Sequence, residues 1–104
     1  MKILAIETSC DDTSVAILEN GKKILSNIVS SQDYVHMQHG GIFPDLASRE
    51  HVKNISFVYE AALEEANCSI KDIDYIAATY APGLVGSLLV GLNFGKGIAY
   101  GAGK

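Results

Sequence analysis

From Tyr75 to Gly95 the chain carries no charged residue, a run of 21 positions, and few folds can accommodate such a run. It is long enough to cross a bilayer as a helix, and Gly91-x-x-x-Gly95 has the small-residue spacing with which membrane helices pack. Pro82-Gly83 interrupts the run, however, and Thr79, Ser87 and Asn93 are polar. The pattern divides more naturally into a buried strand at Tyr75 to Thr79, a turn at Pro82-Gly83, and a buried helix from about Leu84 to Tyr100. No membrane span is expected. Seven of the ten glycines fall in the last 22 residues, most of them within this helix. Glycine inside a helix costs about 1 kcal/mol against alanine, so close approach of another backbone is expected to compensate.

A chain of 104 residues is one domain or part of one, long enough to build a single core without staples. The net charge is −4 and no basic tail or arginine cluster is present. This segment alone therefore lacks the clustered positive charge that displaces counterions from nucleic acid. Cys10 and Cys68 show neither metal-ligand spacing nor a disulfide framework, as for free thiols in a reducing compartment. Only Ile3 to Ile6 separate Lys2 from Glu7, too short for a signal-peptide core, so a cytoplasmic location is expected.

The remainder of the chain reads as alternating elements. Ile3 to Ile6, Thr13 to Leu18 and Ile24 to Ser31 are short apolar or β-branched runs. The last two are separated by Glu19-Asn20-Gly21-Lys22, in which Asn-Gly suits a tight hairpin turn. Asp33 to Phe43, with Gly40-Gly41, reads as a loop. Pro44 suits the first turn of a helix, and Leu46, Val52, Ile55, Tyr59, Ala62, Leu63 and Ala66 then recur at helical spacing until about Asn67. Ser69 to Asp72 reads as a cap and a brief helical turn. The expected order is β-β-β-α-β-α over residues 1–104. The first strand should be central and the fourth parallel to it, since the connection is long enough for a crossover.

Three stretches could carry chemistry. Glu7-Thr8-Ser9-Cys10-Asp11-Asp12-Thr13 follows the first strand. Its hydroxyls and backbone N–H groups suit phosphate oxygens, a carboxylate can hold Mg²⁺, and a second acid can orient a reacting group. Ser, Thr and Asp also simply make turns. In the second stretch His36, His39 and His51 lie within sixteen residues. No carboxylate is obviously placed with them, and solvent-facing or capping roles fit better than metal ligation. The third, Ala81-Pro82-Gly83-Leu84-Val85-Gly86-Ser87, is a strand-to-helix turn whose helix N-terminus attracts anions. It lacks the Gly-Lys-Ser/Thr ending of a P-loop, and tight packing alone would also explain its glycines.

Taken together, these stretches resemble the N-terminal part of the TsaD family, formerly called O-sialoglycoprotein endopeptidase or glycoprotease. The matching blocks are Ile6-Glu7-Thr8-Ser9-Cys10-Asp11, His36-x-x-x-Gly40-Gly41-x-x-Pro44, Leu46-Ala47-Ser48-Arg49-x-His51 and Pro82-Gly83-Leu84-x-Gly86-Ser87-Leu88. The related TsaB family shares the strand layout but usually lacks the middle two blocks. Asp12 stands where TsaD proteins often carry Glu, Ala81 where Gly is common, and His39 where an aromatic residue is frequent.

The resemblance implies a ribonuclease-H-like lobe of the actin-like ATPase superfamily, here incomplete. It implies transfer of threonylcarbamoyl from an adenylate to N6 of the adenosine beside the tRNA anticodon. Asp11 and Asp12 would be catalytic, and Thr8, Ser9 and Asp11 would face the nucleotide. The full-length protein would use iron or zinc and an adenylate nucleotide, with its His-x-x-x-His motif beyond Lys104. This stretch alone is expected to hold no metal or nucleotide and to be inactive. Full-length partners would be tRNA and a TsaB-like paralogue. The alternative is an interaction module pairing through its helices. A homodimer is expected here, with Leu84, Leu88, Gly91, Leu92 and Gly95 at the contact.

Overall fold

The computed structural model describes residues 1–104. Its first three strands are β1 (Lys2–Glu7), β2 (Asp12–Glu19) and β3 (Lys23–Ser31). A short helix α1 (Asp33–Met37) precedes the long helix α2 (Pro44–Glu65). A 3₁₀ turn (Ile70–Asp72), strand β4 (Tyr75–Ala78) and helix α3 (Val85–Ala102) complete the chain. The sheet order is β3-β2-β1-β4, with β1 antiparallel to β2 and parallel to β4. The expected central first strand and parallel fourth strand are both present.

The β2–β3 hairpin turns at Asn20 and Gly21, whose φ values of 55° and 67° are the paired positive angles of a type I′ turn. Pro44 opens α2 in its first turn, and Ser69 and Asp72 form a reciprocal capping box around the 3₁₀ turn. One expectation fails. Asp33 to Phe43 is not wholly loop, because its first five residues form α1. The Gln32 carbonyl accepts the Val35 and His36 amides, and the Gln32 side chain bonds His36 across one turn at 2.6 Å. Little more than one turn cannot show helical periodicity in a sequence.

Both long helices lie on one face of the sheet, α2 across β2 and β3, α3 across β1 and β4, and they pack against each other. Alternation decides which strand residues they cover. Leu4 and Ile6 on β1 stand opposite Ile17 and Val15 on β2, and all four are buried. Ile55, Val58 and Ala62 of α2 close over them, with Ile73 from the approach to β4. Burying each such aliphatic side chain contributes about 1.5–3 kcal/mol. Tyr59 and Phe94 meet edge to face at 5.4 Å where the two helices join. The opposite face is more open: Val29 and Tyr75 are exposed there.

Candidate functional site

The ends of β1 and β4 lie side by side, and the turns that follow them interlock. The Ile6 carbonyl accepts the Thr79 amide at 3.0 Å, and the Ser9 carbonyl accepts the Leu84 amide at 2.8 Å. A Cβ on Gly83 would stand 2.6 Å from the Ser9 carbonyl oxygen, so only glycine lets the two turns come this close. Glu7 fixes the same turn from within. Its two carboxylate oxygens accept the Ser9 amide at 3.0 Å and the Ser9 hydroxyl at 2.9 Å.

Helix α3 grips the turn from a second side. The buried Thr8 hydroxyl donates to the Ser87 carbonyl at 2.7 Å and accepts the Gly91 amide at 3.0 Å. Helix α2 grips it from a third. The buried His51 ring reaches the Cys10 carbonyl through Nε2 at 2.8 Å and the Thr13 hydroxyl through Nδ1 at 2.7 Å. Ser48, one turn earlier on α2, lies beside Gly86 at the start of α3, where an added Cβ would meet its hydroxyl oxygen at 3.3 Å. Stretches far apart in the chain thus meet at the base of one turn, which carries Asp11 and leads into Asp12 at the start of β2.

Asp11 lines an open groove of about 450 Å³ with Asp33, His36, Met37 and Gly40-Gly41. Burial, followed by the charges of Asp11, Asp33 and Glu7, raises the Asp12 carboxyl above its ordinary range, while a hydrogen bond with Ser31 pulls it down. Burial and the neighbouring Asp11 likewise push the Cys10 thiol up, so it is poorly suited to act as a thiolate nucleophile. Asp11 therefore faces the groove, and the backbone before it is held by α3 and α2.

Several sequence expectations change in the folded chain. The Thr8 hydroxyl is spent on α3 and is not open to a phosphate, and the Ser9 hydroxyl is held by Glu7. His36 and His51 are buried rather than solvent-facing, although His39 is exposed, edge-on to Phe43. Gly91 and Gly95 are turned towards Ile6, Thr8, Ile76 and Ala78 of their own sheet, so they are not available to a partner. Leu84, Leu88 and Leu92 remain half-exposed. The structural role of His51 had a readable signal: it falls on the buried stripe Ala47, Ile55, Val58 and Ala62 of α2. Nowhere do three His, Cys, Asp or Glu side chains gather so as to hold a metal ion. No helix is long and apolar enough to cross a membrane.

Known proteins match both the sequence and the fold. The TsaD family model, tRNA N6-adenosine threonylcarbamoyltransferase, matches residues 23–104. Proteins of that name from Caldicellulosiruptor bescii and Fusobacterium nucleatum are 59% and 57% identical over 100 residues, 96% of this chain. One from Clostridium botulinum is 54% identical over all 104 residues. The chain spans about 30% of the length of these relatives. Among solved structures, YeaZ from Pseudomonas aeruginosa superposes with a TM-score of 0.73 at 20% identity, covering 100% of this chain and 42% of that one. That likeness establishes the fold, an α/β lobe shared with YeaZ. With most of its length matched by the family model and its whole length by close relatives, the chain belongs to the tRNA N6-adenosine threonylcarbamoyltransferase family, TsaD.

Proposed function

We propose that this segment supplies one wall of a threonylcarbamoyl-transfer site, with Asp11 and Asp12 presented to the adenylate and to the accepting N6 of a tRNA adenosine. The observation that carries this reading is the three-sided bracing of the turn before Asp11. Acids on a backbone held this firmly are preorganised. Asp11, on the groove, suits orientation of the ligand's polar groups, directly or through Mg²⁺. Asp12, with its carboxyl raised, suits taking a proton from the attacking amine.

Iron or zinc finds no ligand set within this segment. The groove is open, so the segment alone should bind nucleotide weakly and leave tRNA unmodified. Titration of the chain with Mg²⁺ and ATP, followed by amide chemical shifts, tests this. The reading predicts millimolar binding with perturbations at Ser9 to Asp12 and near Gly83. Micromolar affinity, or perturbations confined elsewhere, would contradict it.

A second reading concerns the helices. Val52, Ile55, Leu89, Val90 and Phe94 line an apolar groove of about 520 Å³ between α2 and α3, and Val52 and Leu89 are exposed. Exposed apolar surface of this kind marks association sites. The TsaB-like fold of the YeaZ neighbour supports pairing with a paralogue built on the same helices. In its absence a second copy of this chain would take that place.

A further inference from the structure

Both nitrogens of the His51 ring are engaged, and the ring is fully buried. The Cys10 carbonyl can only accept, so the proton is on Nε2. In the neutral ring Nδ1 is then the acceptor, and the Thr13 hydroxyl donates to it. These two partners flank Asp11 and Asp12 in the chain, one on each side. Thr13 is also held by the pairing of β2 with β3, where it stands opposite Ser30. The Cys10 carbonyl lies outside every strand, and His51 is its hydrogen-bond partner. That carbonyl belongs to the peptide joining Cys10 to Asp11, so fixing it fixes the plane from which Asp11 departs.

Packing does not account for an imidazole at this place. Its neighbours on the buried stripe of α2 are Ala47, Ile55, Val58 and Ala62, all apolar. A buried polar ring costs stability unless its groups are paired, and a leucine would fill the site without that requirement. We propose that His51 is a positioning residue whose Nε2–H orients the Cys10–Asp11 peptide and so aims the acid pair. This deepens, and rests on, the reading of Asp11 and Asp12 as the groups that face the ligand.

Two isopolar substitutions separate orientation from packing. In His51→Gln the amide nitrogen reaches about as far as Nε2 and can donate to Cys10. In His51→Asn the shorter side chain can accept from Thr13 but falls short of Cys10. Nitrogen–proton spectra of the 104-residue chain should show a single Nε2–H tautomer for His51. The Asp11 and Asp12 amide resonances should stay near their parental positions in His51→Gln. They should move in His51→Asn, while β4 and α3 resonances remain in place. An Nδ1–H tautomer, or equal displacement of the two amides in both variants, overturns the proposal. If His51→Asn does not fold, His51→Gln decides alone: displaced Asp11 and Asp12 resonances in it overturn the proposal, and parental ones uphold it. The ATP titration is a separate readout. An unperturbed turn in the parent chain would sink the ligand-facing reading without touching the tautomer or the rescue by glutamine.

Discussion

The Thr8 hydroxyl occupies the space that a side chain on Gly91 would fill: a Cβ there would lie 2.5 Å from its oxygen. The same hydroxyl bridges the Ser87 carbonyl and the Gly91 amide, so α3 is seated on the end of β1 by one side chain. Gly97, six residues further on, is exposed and has open space around it. Two substitutions of one kind should therefore act in opposite directions. Gly91→Ala should destabilise by about 1–3 kcal/mol through overpacking, partly offset by alanine's better helix propensity. Gly97→Ala should stabilise by up to about 1 kcal/mol. Urea denaturation of both variants reads the sign directly, and a shared sign would contradict the packing described.

Because the Thr8 hydroxyl serves the fold, Thr8→Val should lower stability by about 1 kcal/mol despite its similar shape. Thr8→Ser, which keeps the bridging oxygen, should lose less and should leave the ATP-induced shifts at Ser9 to Asp12 intact. Loss of those shifts in a folded Thr8→Val variant, with Thr8→Ser retaining them, would return the Thr8 hydroxyl to the ligand.

The long elements could be read from periodicity and turn chemistry because each obeys a local rule. Asn20-Gly21 fixes the hairpin, Pro44 opens α2, and Ser69 with Asp72 closes a capping box. The roles of Thr8 and His51 depend on contacts with residues 79 and 41 positions away, which no local rule encodes. The glycines of α3 do mark a close approach, as their helix cost suggested. What approaches Gly91 and Gly95, however, is a set of side chains of the chain's own sheet and not a second helix.

Asp12 links the site to pH. Its carboxyl is raised by burial and then by Asp11, Asp33 and Glu7, so the folded chain holds this proton more tightly than the unfolded chain. The resulting stabilisation is complete below the unfolded carboxylate pKa and is lost as pH rises through the folded value. At neutral pH the ionised group is therefore a net cost, screened by solvent to well under about 1 kcal/mol. Asp12→Asn should melt slightly higher than the parent at neutral pH, and the advantage should vanish once both are taken below the carboxylate range. A lower melting temperature at neutral pH would contradict this assignment.

The apolar groove between α2 and α3 and the free edge of β4 both favour association. Light scattering across a concentration series should show dimers of the parent chain. Leu89→Glu, which places a charge at the groove, should shift the population to monomer without changing the melting temperature by more than a few degrees. A parent chain that stays monomeric at high concentration would rule out the second-copy arrangement.

The proposed role of this segment as the acid-bearing wall of a threonylcarbamoyl-transfer site can be tested by joining residues 1–104 to the remaining part of the Clostridium botulinum relative, which is 54% identical over this stretch. Incorporation of labelled threonylcarbamoyl into tRNA is then measured with its accessory proteins present. The chimera should modify tRNA, and Asp11→Asn within it should lower the rate by about a hundredfold or more, the scale of a lost positioned acid or base. A folded chimera that leaves tRNA unmodified, or an Asp11→Asn chimera as fast as its parent, would contradict the account.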